Sequence, residues 1–88
     1  MQLIDSHCHL DLDAFSADRP AVIARAAAAG VCALVNPGID LTTTRAAVTQ
    51  AQEIPGVYAA AGIHPTSSGD FEPAQIEPLR ALAGAPGV

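Results

Sequence analysis

Two histidines separated by one residue stand near the start of the chain. They belong to the sequence DSHCH at positions 5–9, directly after a short apolar stretch that predicts a strand. Side chains alternate along a strand, so His7 and His9 should point to one side and Cys8 to the other. Two imidazoles on one side can bind one divalent cation. A pair of surface or core histidines without metal is the alternative, but we favour metal binding because this pair contains two of the chain's three histidines.

Three acids flank the histidine pair. Asp5 shares the parity of the histidines, so it either orients an imidazole or is a solvated residue at the strand end. Asp11 and Asp13 precede a predicted helix, where acids are usually solvated, and Asp11 is the better candidate for contact with a metal or substrate. The pair alone does not complete a catalytic zinc site, which needs at least three protein ligands and an open position.

The third histidine, His64, follows another apolar run and stands in the sequence GIHP at positions 62–65. This places it at the carboxyl end of a predicted strand, where ligands bind in parallel α/β sheets. No potential metal ligand lies two residues away, so we expect His64 to face the substrate, with a loop histidine before Pro65 as the alternative. Asn36 ends the intervening strand at the analogous position. A hydrogen bond near the site is one interpretation of this residue, and an ordinary Asn-Pro-Gly turn is the one we favour.

Strands and helices are predicted to alternate along the chain, and these elements must position the candidate residues. Apolar runs predict strands at 2–5, 31–36 and 57–63, and helical spacing predicts helices that begin after Asp18, at 41–53 and at 77–83. Asp18 and Asp40 are the predicted N-caps. This order implies parallel strands joined by right-handed crossovers. Three strands leave two open sheet edges and Val88 would begin a fourth, so we interpret residues 1–88 as a fragment of a larger α/β domain; a small complete βαβ domain is the alternative.

The charge of the chain narrows the possible partners. Four cationic and nine anionic side chains give a formal net charge of −5. This argues against an independent nucleic-acid-binding surface and against docking on an anionic membrane. A phosphate substrate would therefore need a bound metal ion to neutralise it. No apolar run approaches the ~20 residues of a membrane span. The first residues lack the features of a signal peptide, so we expect a cytoplasmic protein.

Three stretches carry a family resemblance. The sequence LIDSHCHLD at 3–11 resembles the opening of the TatD family of metal-dependent deoxyribonucleases, and PGVYAAAGIHP at 55–65 resembles its second block. NPGID at 36–40 stands where the family has its turn after strand 2. The His-x-His motif is shared by the wider amidohydrolase-like superfamily, whereas its combination with GIHP is more specific. The resemblance implies a TIM (β/α)8 barrel of ~250 residues. Residues 1–88 would be its first three βα units, truncated before strand 4, in a larger parent protein.

The resemblance also implies a reaction and a set of site residues. In the family two divalent ions, Mg, Mn or Zn, clamp a phosphodiester bond of DNA and generate a hydroxide nucleophile. His7 and His9 resemble ligands of the first ion, and His64 resembles a residue near the substrate phosphate. The other ligands would come from later strands, so we expect no further catalytic residue here and no activity of the isolated fragment. Thr66 stands where many relatives carry a second histidine.

Two other functions remain open at this point. One is another hydrolase of the same barrel superfamily that acts on amide or ester bonds. The other is a non-catalytic truncated product that binds metal weakly or associates with a partner through its open sheet edges. Residues beyond Val88 would separate the first from the nuclease, because the family has an acid at the end of strand 4.

Overall fold

Three strands form one parallel sheet in the order β1-β2-β3, in a computed structural model that describes residues 1–88. The strands are β1 Leu3–Asp5, β2 Val31–Pro37 and β3 Val57–Ala60. The helices are α1 Arg19–Ala28, α2 Leu41–Glu53 and α3 Ile76–Ala83. Short 3-10 turns lie at Asp13–Phe15, Pro65–Asp70 and Pro73–Gln75. The predicted α/β class is confirmed, and the topology is that of the first three βα units of a TIM-barrel-like fold.

The strand register fixes which segments lie side by side. Asp5 pairs with Leu34, and Pro37 pairs with Ala60. Beyond the end of β1 the chain stays beside β2, because the backbone N–H of Cys8 donates to the Val35 carbonyl at 3.0 Å. All carboxyl ends of parallel strands lie at one edge of the sheet. The segments that follow β1 and β3 therefore leave the sheet at the same edge.

The helices cover only one face of this sheet. On that face Leu34 and Val57 pack with Leu10, and Ala59 packs with two residues of α2, Ala47 and Val48. The register pairs Val35 with Tyr58 on the opposite face. There Ile4 is 66% exposed and Tyr58 is 49% exposed. β2 is therefore apolar on both faces, but the helices of residues 1–88 cover only one of them.

The two predicted helix caps differ in structure. Asp40 caps α2: its Oδ1 accepts from the Thr43 backbone N–H at 2.7 Å, and the Thr43 hydroxyl accepts from the Asp40 N–H at 3.0 Å. This reciprocal pair satisfies N–H groups that a helix start leaves without partners. Asp18 precedes α1, but its side chain makes no capping hydrogen bond and lies 3.9 Å from Arg25 instead. The predicted N-cap position of Asp18 is thus confirmed, although its side chain does not bond to the helix start.

Two strand boundaries also differ from the prediction. β3 ends at Ala60 rather than at residue 63, because β2 ends at Pro37 and no neighbouring strand continues beside residues 61–63. Val88 belongs to no strand, and its N–H donates to the Ala85 carbonyl at 3.3 Å to close a turn. The Gly87 carbonyl nevertheless accepts from the Ala59 N–H at 2.9 Å, so this turn reaches the other edge of β3. None of the helices is long and apolar enough to cross a membrane.

Candidate metal centre

His7 and His9 lie just beyond β1, which ends at Asp5. Strand alternation therefore does not set their directions, contrary to the prediction. The turn still brings the two imidazoles together: their ring centroids are 5.0 Å apart and the planes meet at 83°. His7 is exposed and His9 is half-buried. The pair thus stands at the carboxyl edge of the sheet with its rings in edge-to-face contact.

Asp5 acts on the backbone of this turn rather than on an imidazole. Its Oδ1 accepts from the His7 backbone N–H at 3.1 Å, and the residue is exposed. This is the local hydrogen bond that aspartate commonly makes to a backbone amide two residues further on. Asp5 therefore shapes the turn that carries His7, while neither ring of the pair donates a hydrogen bond to it.

Cys8 turns away from the pair and packs against the core residues Leu10, Leu34 and Val57. Its thiol donates to the Val35 carbonyl at 3.5 Å. Burial, and in second place the negative charge of Asp5, raise the pKa of the Cys8 thiol above its ordinary value. The thiol is therefore protonated at neutral pH, a form that is neither a metal ligand nor a nucleophile. Cys8 and the exposed Cys32 are both free cysteines.

Asn36 departs most from its predicted role. It lies within β2 rather than in a turn, and its side chain is 0% exposed. The carboxamide lies between Gln50 of α2 on one side and the backbone of Cys8 and the Asp11 carboxylate on the other. The favoured interpretation as part of a turn was wrong, whereas the alternative, a hydrogen bond near the candidate site, agrees with these contacts. The available signal was a polar residue at the end of an otherwise apolar strand.

The acids after the pair separate from each other. Asp11 is half-buried, and its Oδ1 lies 3.0 Å from the Asn36 carboxamide. Asp13 is exposed and begins a 3-10 turn. No group of three or more His, Cys, Asp or Glu side chains in residues 1–88 is arranged to hold a metal ion. The histidine pair therefore stands as a two-ligand group.

His64 lies at the same edge, four residues beyond β3, and is exposed. Its backbone N–H donates to the Ile39 carbonyl at 2.7 Å, which ties it to the loop between β2 and α2. The Thr66 backbone N–H donates to Nδ1 of His64 at 3.1 Å, and the Thr66 hydroxyl lies 2.7 Å from the same atom. Because a backbone amide can only donate, Nδ1 is the acceptor and the ring proton sits on Nε2.

Thr44 holds the segment that leads to His64. It is 0% exposed, and its hydroxyl donates to the Gly62 carbonyl at 3.2 Å and accepts from the Gly62 N–H at 3.3 Å. The same hydroxyl approaches Gly38 so closely that a Cβ there would lie 2.1 Å from Thr44 Oγ1. A side chain at residue 38 would displace Thr44, so this anchor needs a glycine at that position.

The donor set of the pair suits a divalent cation. Imidazole nitrogen is a ligand for zinc, manganese and related ions, and no hydrogen bond occupies a ring nitrogen of His7 or His9. Two imidazoles in contact can share one ion, so the residues present fit part of a metal site. No third His, Cys, Asp or Glu side chain of residues 1–88 joins the pair, whereas a catalytic zinc site needs at least three protein ligands.

Comparison with known proteins places this geometry in a family. The sequence model of the family described as TatD related DNase matches residues 4–88. The chain is 34% identical over 86 residues to the 3'-5' ssDNA/RNA exonuclease TatD of Salmonella typhimurium, which covers 98% of this chain and 33% of that protein. It is 38% identical over 64 residues to the uncharacterized metal-dependent hydrolase YjjV of Escherichia coli, covering 73% of this chain and 25% of that protein.

A third relative is also named a metal-dependent hydrolase. The chain is 32% identical over 81 residues to the uncharacterized metal-dependent hydrolase YabD of Bacillus subtilis, covering 92% of this chain and 32% of that protein. The chain spans about a third of the length of these relatives. With its sheet topology, its histidine pair and a match over nearly every residue, the chain belongs to the TatD-related DNase family.

Proposed function

We propose that residues 1–88 form the N-terminal third of a parent protein that hydrolyses phosphodiester bonds of DNA with divalent metal ions. One observation carries the proposal. The rings of His7 and His9 meet edge-to-face at the carboxyl edge of a parallel sheet, with their centroids 5.0 Å apart. The match to the DNase family supports a nuclease. Two relatives bear the name metal-dependent hydrolase, which supports the use of metal ions.

Each histidine of the pair would give one ring nitrogen to the same ion, and other parts of the parent protein would supply the further ligands of a two-ion site. When bound, Mg, Mn or Zn would polarise the phosphodiester and lower the pKa of a bound water. The contribution of residues 1–88 is to hold the two imidazoles together at the sheet edge. The exposed rim at His7 leaves the approach of a nucleic acid strand open.

His64 would bind the substrate. With Nδ1 occupied by Thr66, its Nε2–H is a hydrogen-bond donor in the neutral ring. A phosphate oxygen of DNA is the matching acceptor, and a donor at this place would orient the phosphodiester beside the ion. In this function His64 recognises the substrate phosphate and leaves metal binding to the pair.

Three of the four arginines have partners within residues 1–88. Arg19 donates to the carbonyls of Leu10 and Leu12, while Arg25 and Arg80 pair with acids. Arg45 is exposed on α2 and is a single cation. Together with the net charge of −5, these contacts leave little cationic surface for phosphate. This supports a reaction in which metal ions supply the positive charge.

The test is hydrolysis by the purified parent protein. We expect it to degrade single-stranded DNA with Mn²⁺ or Mg²⁺ and to lose this activity with a chelator. Activity on an amide or an ester, with none on DNA under the same conditions, would replace the nuclease by another hydrolase of the superfamily. The isolated chain 1–88, assayed beside the parent, should release no nucleotide, because its pair offers two ligands where a catalytic site needs at least three.

A further inference from the structure

Asn36 has a buried carboxamide that the proposed chemistry does not use. The residue ends the helix-covered face of β2, where it pairs with Ala59, and is 0% exposed. A buried amide is costly unless its N–H and C=O groups have partners. A leucine of similar volume would fill this place without that requirement. The hydrogen-bond partners of this amide include atoms of the turn that carries the histidines.

The carboxamide bridges α2 and the turn after β1. On one side it lies 2.9 Å from the Gln50 carboxamide. On the other side Asp11 Oδ1 lies 3.0 Å away and the Cys8 carbonyl oxygen lies 3.3 Å away. Both of these atoms are acceptors, so we assign the amide nitrogen of Asn36 to the side that faces them. The oxygen of Asn36 then lies 2.9 Å from the Gln50 carboxamide, and we assign the nitrogen of Gln50 to the side that faces it so that it can donate.

Cys8 is the residue between the two histidines, and β2 holds both of its backbone polar groups. Its N–H donates to the Val35 carbonyl at 3.0 Å, and its carbonyl accepts from the Asn36 amide as well as from the Leu10 N–H at 3.2 Å. Asp11, two residues past His9, is held by the same amide group. One side chain thus fixes the backbone within the pair and just after it. This is the connection through which β2 can set the separation of the two rings.

We propose that Asn36 is a positioning residue of the metal-binding pair, acting through the Cys8 carbonyl and the Asp11 carboxylate. The inference rests on the proposed function, because it assumes that His7 and His9 bind the ion. Without the amide, the Asp11 carboxylate loses this donor, and the Cys8 carbonyl keeps only the Leu10 N–H at 3.2 Å. The turn then moves more freely, and the two imidazoles converge less often on one ion.

The experiment measures metal affinity and backbone protection in the parent protein. Asn36→Leu should raise the dissociation constant for Mn²⁺, measured by calorimetry, by about ten- to a hundredfold, the usual effect of losing a partner that orients metal ligands. Hydrogen exchange should become faster in residues 6–12 and stay unchanged in residues 61–66. Faster exchange throughout the protein, with unchanged Mn²⁺ affinity, would make Asn36 a structural residue only and overturn the inference.

Thr44→Val is the matched control. Thr44 is also 0% exposed and also loses a buried hydrogen-bonding group, but its partner is Gly62 on the way to His64. This variant should accelerate exchange in residues 61–66 and leave the affinity for Mn²⁺ unchanged. An equal loss of Mn²⁺ affinity in both variants would show a general effect of buried polar groups and contradict a specific role for Asn36.

Two more variants keep the test decisive. Gln50→Leu removes the distant partner of Asn36, so it should weaken Mn²⁺ binding in the same direction and less strongly, even if Asn36→Leu does not fold. Asp11→Asn keeps an oxygen for the Asn36 amide and should leave Mn²⁺ affinity nearly unchanged. A loss with Asp11→Asn as large as that with Asn36→Leu would make Asp11 a ligand and overturn the positioning role.

The inference and the proposed function can fail separately. If the wild-type parent binds Mn²⁺ through His7 and His9, but Asn36→Leu binds it equally well, the positioning role is wrong and the metal-dependent function stands. If the wild-type parent binds no divalent ion, the proposed function is wrong, and this inference falls with it.

Discussion

The two histidine regions of this chain are built alike in one respect and differently in another. The turn after β1 carries His7 and His9, and the segment after β3 carries His64. Beneath each lies one polar side chain without exposed surface, Asn36 in the first case and Thr44 in the second. These are the only fully buried polar residues of the chain. Backbone groups that leave a strand ladder need new partners, and here a buried amide and a buried hydroxyl provide them.

The difference lies in what holds the rings. The His64 ring is held by its neighbour Thr66, so its tautomer is fixed within the segment itself. No hydrogen bond holds the rings of His7 and His9, which lie edge-to-face against each other. The first region thus fixes its backbone and leaves its ring nitrogens available, as an ion requires. The second fixes its ring and presents a single N–H. A metal ligand and a phosphate-binding donor need these opposite arrangements.

The largest expected effect is a difference between the two regions when their histidines are replaced by alanine. In the parent protein, His7→Ala or His9→Ala should abolish detectable Mn²⁺ binding in calorimetry and lower DNA hydrolysis by about two orders of magnitude or more. His64→Ala should raise KM for DNA and leave Mn²⁺ affinity unchanged. Cys8→Ala is the control, because its thiol packs into the core, and it should keep both properties. A Cys8→Ala protein that behaves like His9→Ala would contradict the division.

The second effect concerns the anchor under His64. Gly38→Ala would place a Cβ 2.1 Å from the Thr44 hydroxyl oxygen, so Thr44 or the loop must move. We expect a loss of about 1–3 kcal/mol in the free energy of unfolding, as for other overpacked sites, measured by urea denaturation of the parent protein. Gly62→Ala is the matched control, since its added Cβ meets nothing within 4 Å. Equal stability of the two variants would contradict the close approach of Gly38 and Thr44.

Sequence patterns predicted some of these features better than others. The bounds of α2 were predicted correctly, because Asp40 supplies a start that local chemistry defines and Pro55-Gly56 supplies a stop. The end of β3 was not, because residues 61–63 remain apolar while the neighbouring strand has already ended at Pro37. A pattern of residue types along one segment carries no information about where its partner stops. Strand ends therefore need the tertiary structure.

The candidate site shows the same limit. The histidine motifs predicted which edge of the sheet carries the chemistry, and the roles of His7, His9 and His64 stay predictions. Asn36 was assigned to a turn because its two following residues favour one. Its contacts come from Gln50, fourteen positions later, and from Cys8. Such contacts between distant segments leave no periodic signal in a single sequence, whereas the caps and turns that depend on neighbours do.

A smaller effect on stability should depend on the charge of Asp40. Its neighbour Ile39 accepts the hydrogen bond from the His64 backbone N–H. Hydrogen bonds from the backbone and then the hydroxyl of Thr43 hold the pKa of Asp40 below its ordinary value. The stability from this interaction is present above the pKa that Asp40 has in the unfolded chain. It is lost as the pH falls through the lowered pKa of the folded state.

Asp40→Asn tests this pH dependence. Asparagine is also a good N-cap, so the loss at neutral pH should be small, below the ~1 kcal/mol typical of removing a cap. The gap in melting temperature between wild type and variant should close as the pH is lowered. Asp18→Asn is the control, because the Asp18 side chain makes no capping hydrogen bond, and it should show no such pH dependence. A gap that widens in acid would contradict the sign of the Asp40 pKa shift.

The smallest expected effect tests how Thr66 holds the His64 ring. Thr66→Val removes the hydroxyl 2.7 Å from Nδ1 and keeps the backbone N–H that donates to the same atom. The Nε2–H tautomer should therefore persist in the ¹⁵N spectrum of the ring, while a looser ring raises KM for DNA by about two- to tenfold, the range of one neutral hydrogen bond. Ser68→Ala is the control in the same turn, because the Ser68 hydroxyl donates to the Pro65 carbonyl and does not touch the ring. If Ser68→Ala raised KM more than Thr66→Val, the turn as a whole would position His64. The ring would then be held less locally than its hydrogen bonds to Thr66 indicate, and the contrast with the His7–His9 pair would rest on backbone anchoring alone.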